Sequence, residues 1–259
     1  MSTLYLVPTP LDHGCEPQTP LADVLPQGTT AVAARLSHWI CENAKSCRAF
    51  LKRVQAVQPL AAPLPAQHIH QLPRAAHKQG DHGGADGASA FDPQPLIAAA
   101  QAGHDVGLLS EAGMPAVADP GSAVVRAAHA LGMTVAPLVG PVSILLALAA
   151  SGLNGQNFAF VGYLPQEAAA RRERIRQLET LARQNGQTQL FIETPYRNAA
   201  LWQALLQTLG PETRLAVHSG LTLPAARSHA ARVADWRATQ DPAAWQQALA
   251  LPAIFAIGK

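Results

Sequence analysis

Charge is scarce in this 259-residue chain: Asp, Glu, Lys and Arg make up 14% of it, and the formal net charge is +2. That balance excludes an overall basic field of the kind that advertises a nucleic-acid partner, so an RNA substrate would need a local basic patch. Cysteine is scarce too. Cys15, Cys41 and Cys47 are an odd number at spacings that match neither a zinc site nor a disulfide framework, and they read as buried thiols in a reducing cytoplasm. The segment Met1 to Val7 lacks a positively charged region and runs into Pro8 and Pro10, which makes it a first strand and not a secretory signal. A membrane span is absent from the reading as well. No Asp, Glu, Lys or Arg occurs from Ala127 to Gln166, but Gly132, Pro137, Gly140, Pro141 and Gly152 break the run before it reaches the roughly 20 residues a spanning helix needs. Buried core explains that run.

What is present is apolar material, 48% of the residues, enough for one large core or two modest ones. Short β-type runs alternate with helical patterns, which predicts the α/β class with parallel sheets covered by helices. Strands are expected at Leu4–Val7, Thr29–Ala33, Asp105–Leu109 and Met133–Val139, and later at Phe158–Gly162, Gln189–Glu193, Arg214–His218 and Ala253–Gly258. A helix should run from Gly121 to Gly132. The run Val142–Ser151 is apolar on every side and reads as a helix buried between layers, with Pro141 at its first position. Two domains follow from this: an N-terminal α/β domain over residues 1–138 with a predominantly parallel sheet, and a C-terminal α/β domain over 139–259. The Gly-rich stretch Pro73–Pro95 reads as a surface loop. His68, His70, His77 and His82 lie in or beside it without the fixed spacing of metal ligands, and no metal is expected.

The strand ending at Leu109 runs straight into Ser110-Glu111-Ala112-Gly113-Met114-Pro115, followed by Ala118-Asp119-Pro120-Gly121. This loop falls at the carboxyl end of a parallel strand, where open α/β sheets bind ligands. Its glycines allow close backbone approach, and its carboxylates suit a small cationic ligand. By itself the segment reads equally well as an ordinary strand-to-helix loop. Other segments accompany it in order: Leu4-Tyr5-Leu6-Val7-Pro8-Thr9-Pro10, Pro137-Leu138-Val139-Gly140-Pro141-Val142-Ser143, Ala150-Ser151-Gly152-Leu153, Phe160-Val161-Gly162-Tyr163-Leu164-Pro165 and Phe191-Ile192-Glu193-Thr194-Pro195-Tyr196-Arg197. Together they resemble the tetrapyrrole-methylase superfamily of S-adenosylmethionine-dependent methyltransferases. The similarity spans nearly the whole chain and is strongest to a divergent branch beside the enzymes that methylate small-subunit ribosomal RNA.

The resemblance implies a cytoplasmic two-domain methyltransferase, a homodimer, that holds S-adenosylmethionine in the cleft between its domains and methylates a ribose 2′-hydroxyl of small-subunit ribosomal RNA. Carried over position by position, the donor-contacting residues are Pro8, Ser110, Glu111, Ala112, Gly113, Met114, Pro115, Ala118, Asp119, Gly140, Pro141, Val142 and Ser143. Ile192, Ala216, Pro252, Ala253 and Ile254 follow from the second domain, where packing is the competing reading for Ile192, Ala216 and Ile254. The chain departs from the pattern at Glu42-Asn43-Ala44-Lys45, where the enzymes that methylate small-subunit ribosomal RNA have Glu-Asp-Thr-Arg, and at His218-Ser219-Gly220-Leu221-Thr222, where they have Arg-Glu-Leu-Thr. Glu42 as proton acceptor and Lys45 and Arg48 as cations remain the catalytic candidates. A solvated helix face is the competing reading for all three. Arg171 to Arg176, together with Lys45, Arg48, Lys52 and Arg53, would supply a local basic patch, and Tyr196 with Arg197 would stack on and pair with a nucleotide. Methylation of a tetrapyrrole or another small molecule, or donor binding without turnover, are the alternatives.

Overall fold

The computed structural model describes residues 2–12, 14–73, 91–238 and 242–259. The chain divides into two compact units, Met1–Pro141 and Val142–Lys259.

In the first unit β1 (Thr3–Val7), β2 (His38–Cys41), β3 (His68–Gln71), β4 (Val106–Leu109) and β5 (Thr134–Pro137) form a sheet in the order β3-β2-β4-β1-β5. Every neighbouring pair is parallel. Side chains alternate between the two faces of a strand, and a parallel sheet needs both faces covered. Val7, Trp39, Cys41 and Leu109 accordingly pack with the helices Gln27–Arg35 and Ala44–Val57. Leu4, Ile40, Val106 and Leu108 pack with Val124, Ala127 and Ala128 of the helix Ser122–Ala130. All four residues of β4 are buried, as its central place requires. The expectation of a strand at Thr29–Ala33 is corrected: these residues belong to the helix Gln27–Arg35. Thr29, Thr30, Ala33 and Ala34 are the buried ones, the i, i+4 spacing of a helix face, and the β-branched threonines mimic a strand only in isolation.

The second unit carries β6 (Phe158–Tyr163), β7 (Thr188–Glu193), β8 (Arg214–Ser219), β9 (Arg227–Arg232) and β10 (Ala253–Gly258) in the order β6-β7-β10-β8-β9. Only β6 and β7 are parallel to each other as neighbours; the other three pairings are antiparallel. One face packs with the helices Ala168–Asn185 and Pro195–Thr208 and with Trp236 and Trp245. The other receives Ile144, Ala147 and Leu148 of the helix Ser143–Ser151. That helix is not buried all round, because Leu145 and Leu146 are 51% and 40% exposed. Pro141 stands outside it, before the N-cap residue Val142.

Candidate functional site at the carboxyl edge of the parallel sheet

Register decides what the first sheet presents. Leu109 lies beside both Val7 and Cys41, and Leu6 beside Pro137. Four chains therefore leave the sheet along one edge, into Pro8, Glu42, Ser110 and Leu138. The first and third are tied together: the Thr9 and Gly113 backbones exchange two hydrogen bonds of 3.0 Å. The Thr9 hydroxyl donates to the Ser110 carbonyl at 3.3 Å, and the Ser110 hydroxyl donates to the Gly113 carbonyl at 3.1 Å. Ser110 is buried, so its side chain closes the loop. Gly113 has φ +82°, and a Cβ there would meet Leu11 Cδ2 at 3.2 Å. Gly140 brings in the fourth chain by close approach: a Cβ would lie 2.3 Å from Pro8 Cγ, so nothing larger than glycine fits over the buried proline ring.

The loop beyond Gly113 is held in conformations that L-residues avoid. Ala116 and Ala118 have φ of 63° and 64°, each costing about 1 kcal/mol or more. Three carboxylates adjoin at this loop. The Glu111 N–H donates to Glu42 Oε1 at 3.2 Å, and the Ser46 hydroxyl donates to Glu111 Oε1 at 2.7 Å. Burial, followed by the negative charges of Glu42 and Glu111, pushes the half-buried Asp119 carboxyl up to about 7. Such a concentration of negative charge favours a cation.

Of the three catalytic candidates, the structure brings Glu42 to the loop. Lys45 and Arg48 are exposed on the helix Ala44–Val57, whose first turn Asn43 caps by accepting the Lys45 N–H at 2.9 Å. Sequence reasoning misses Thr9, Asp12 and Ser46, and it places Arg53 in a basic patch, whereas the guanidinium turns inward to Asp12 and the Thr19 carbonyl. Thr9, Asp12, Ser46 and Arg53 line a cleft of about 200 Å³ next to Ser110 and Glu111, and Arg53 Nη1 meets Asp12 Oδ2 at 2.6 Å. Forty-one positions separate that pair, and no local pattern announces it.

In the second unit Ala216 and Ile254 share an apolar cluster with Ile144, Ala147 and Leu148, and Ile192 packs against it. Ala253 turns to the opposite cluster. The Pro252 carbonyl accepts the Gly220 N–H at 2.9 Å. Val142 and Ser143 form the N-cap and first residue of their helix. Arg197, expected to pair with a nucleotide, donates its Nε and Nη2 to Glu193 Oε1 at 2.9 and 2.7 Å. Thr194 occupies the N-cap position but turns its hydroxyl to the same carboxylate, at 3.2 Å. Tyr196 is 80% exposed. His218 is fully buried, neither ring nitrogen has a hydrogen-bond partner among the described residues, and burial pushes it down to about 4. His68 stacks on His38 with ring centroids 4.6 Å apart, and no group of three potential ligands able to hold a metal occurs among the described residues. His77, His82 and most of the Pro73–Pro95 stretch lie outside the described residues.

The family model of the tetrapyrrole (corrin/porphyrin) methylases matches residues 40–236. The chain belongs to this family. The chain is 33% identical over 219 residues to the ribosomal RNA small subunit methyltransferase I of Mesorhizobium japonicum, an alignment covering 85% of this chain and 63% of that protein. It is 35% identical over 154 residues to the protein of the same name from Pseudomonas aeruginosa, covering 56% and 51%. The chain thus spans less than two thirds of the length of either relative. Among solved structures, the uroporphyrin-III-C-methyltransferase from Thermus thermophilus matches all of this chain and 95% of its own with a TM-score of 0.53 at 20% identity, a likeness of fold.

Proposed function

We propose that this methylase transfers a methyl group from S-adenosylmethionine to a ribose 2′-hydroxyl of small-subunit ribosomal RNA, acting in the cytoplasm as a homodimer. The observation that carries the reading is the meeting of Glu42, Glu111 and Asp119 at the tied loops of the carboxyl edge. The residues present fit the donor, because a sulfonium and an ammonium both gain from neighbouring carboxylates. When bound, S-adenosylmethionine supplies an electrophilic methyl group on a sulfonium sulfur.

The loop Ser110–Asp119 holds that group through its backbone and through Asp119, since the Ser110 hydroxyl is already used within the loop. Glu42 would accept the proton of the attacking hydroxyl. Glu111 keeps Glu42 in place through its N–H. Lys45 and Arg48, exposed in the first and second turns of the helix, face the negative charge of an RNA strand. The relatives named ribosomal RNA small subunit methyltransferase I support RNA as the acceptor.

Calorimetry with S-adenosylmethionine tests the donor, and saturable binding is expected. Transfer of label to 30S subunits from cells lacking this protein tests the acceptor. Donor binding without label on RNA, together with transfer to a porphyrinogen, would reverse the acceptor assignment.

A further inference from the structure

The cleft beside the donor loop has the chemistry of an acceptor pocket. The loop after β1 supplies Thr9 and Asp12, the start of the loop after β4 supplies Glu111, and the helix Ala44–Val57 supplies Ser46, Phe50 and Arg53 at the i, i+4, i+7 spacing of one helical face. Its charge is spent inward. Arg53 Nη1 pairs with the nearly buried Asp12 at 2.6 Å, while Nη2 donates to the Thr19 carbonyl at 2.7 Å. Arg53 is the sole cationic side chain among the lining residues, against the two carboxylates Asp12 and Glu111. A guest carrying carboxylates or phosphate would meet repulsion and no available cation. A neutral heterocycle with hydrogen-bonding edges meets Phe50 and Leu109 as apolar wall and Thr9, Ser46 and Glu111 as polar partners.

A second observation comes from the neighbouring face of the same helix. Lys45, Arg48 and Lys52 fall at i, i+3, i+7, one residue out of phase with Ser46, Ala49 and Arg53, and all three are exposed. A stripe of three cations thus runs alongside a cleft that rejects anions. Phosphates belong on the first and an uncharged ring in the second, which is how single-stranded RNA with a splayed-out base presents itself.

Resting on the methyltransferase reading above, we infer that this cleft receives the acceptor nucleoside of an RNA strand, unstacked from its neighbours, with the strand's phosphates on Lys45, Arg48 and Lys52. The pocket separates a nucleoside from the acidic macrocycles that give the family its name.

Ala49→Phe fills the cleft from an exposed position of the helix and leaves the buried stripe Cys47, Leu51 and Val54 untouched. The expected result is loss of label transfer to 30S subunits by a hundredfold or more, with S-adenosylmethionine affinity by calorimetry within twofold of the parent. Lys52→Gln should raise KM for the subunits, leave kcat unchanged and reduce the slope of log KM against log salt by about one. Transfer by a folded Ala49→Phe protein at the parental rate would overturn the inference while leaving the function reading intact. Should that variant not fold, an unchanged salt slope in Lys52→Gln would overturn it. Failure of the parent to bind the donor would instead strike the function reading, and this inference with it.

Discussion

The two units spend their sheets differently. In the first, the parallel strands β1, β2, β4 and β5 deliver their loops to one edge, and those loops are cross-tied, strained at Ala116 and Ala118 and rich in carboxylate. In the second, the antiparallel pairings along β7-β10-β8-β9 send the ends of neighbouring strands to alternating edges. It gathers three tryptophans on one face: Trp236 sits edge-on to Trp202 and Trp245 with ring centroids 5.9 and 4.9 Å apart. Parallel topology concentrates polar loop chemistry, whereas the mixed sheet concentrates apolar contact area. Substitutions under the tryptophan-lined face of the second unit should therefore lower stability without changing donor binding, and substitutions among the tied loops of the first should change both.

The largest effect is expected at Trp236, which is 2% exposed and donates its indole N–H to the Leu215 carbonyl at 2.7 Å. Trp236→Ala should cost about 3–5 kcal/mol by urea denaturation. The fraction still folded should bind S-adenosylmethionine with parental affinity, and a tenfold weaker affinity would break the division of labour.

His218 comes next. Its folded-state value near 4 lies below the ordinary histidine value of 6.5, so it stays neutral in the folded chain while the unfolded chain takes up a proton on acidification. Stability from this group is complete above pH 6.5 and declines as the pH falls towards 4, by on the order of 3 kcal/mol. Replacing it with phenylalanine should narrow the gap between urea midpoints at pH 7 and pH 4.5. An unaltered gap would show that the buried imidazole is not the acid-sensitive element.

At the other unit's edge, Gly140→Ala drives a methyl group into the Pro8 ring. Overpacking of this kind costs about 1–3 kcal/mol. Unlike Trp236→Ala, it should also weaken donor binding in the folded fraction, because it pushes apart the loops that Pro8 and Gly140 hold together. Calorimetry at a temperature where the variant remains folded distinguishes the two outcomes.

The same contrast governs what the sequence reveals. Buried strands such as Thr188–Glu193 and Ala253–Gly258 stand out as apolar runs because both faces of the mixed sheet are covered at their positions. The strands left unread are β2, buried but only four residues long, and β3 and β9, polar edge strands, His-Ile-His-Gln and Arg-Ser-His-Ala-Ala-Arg, whose exposed side chains leave little hydrophobic signal. In the site, the glycine and proline punctuation of Ser110–Gly121 is visible locally. The cleft is not, because Asp12 and Arg53 acquire their meaning only when the helix Ala44–Val57 packs beside the loop after β1.

The smallest expected effect is the most specific to the parallel edge. Asp119, pushed up to about 7, is only partly ionised at neutral pH. Because its folded-state value is raised above the ordinary 3.8, ionising it costs the folded chain stability as the pH rises through 7, and a bound cation relieves that cost. Donor binding should then favour the ionised form, release protons near pH 7 and grow tighter as the pH rises from 6 to 8, by up to roughly tenfold. Calorimetry in buffers of different ionisation enthalpy measures the proton release directly. Asp119→Asn should abolish both the release and the pH slope while keeping the fold, since the amide occupies nearly the same volume. If the slope survives in that variant, the cation sits nearer Glu42 or Glu111, and the charge that defines this edge is placed one loop turn away from where the raised Asp119 locates it.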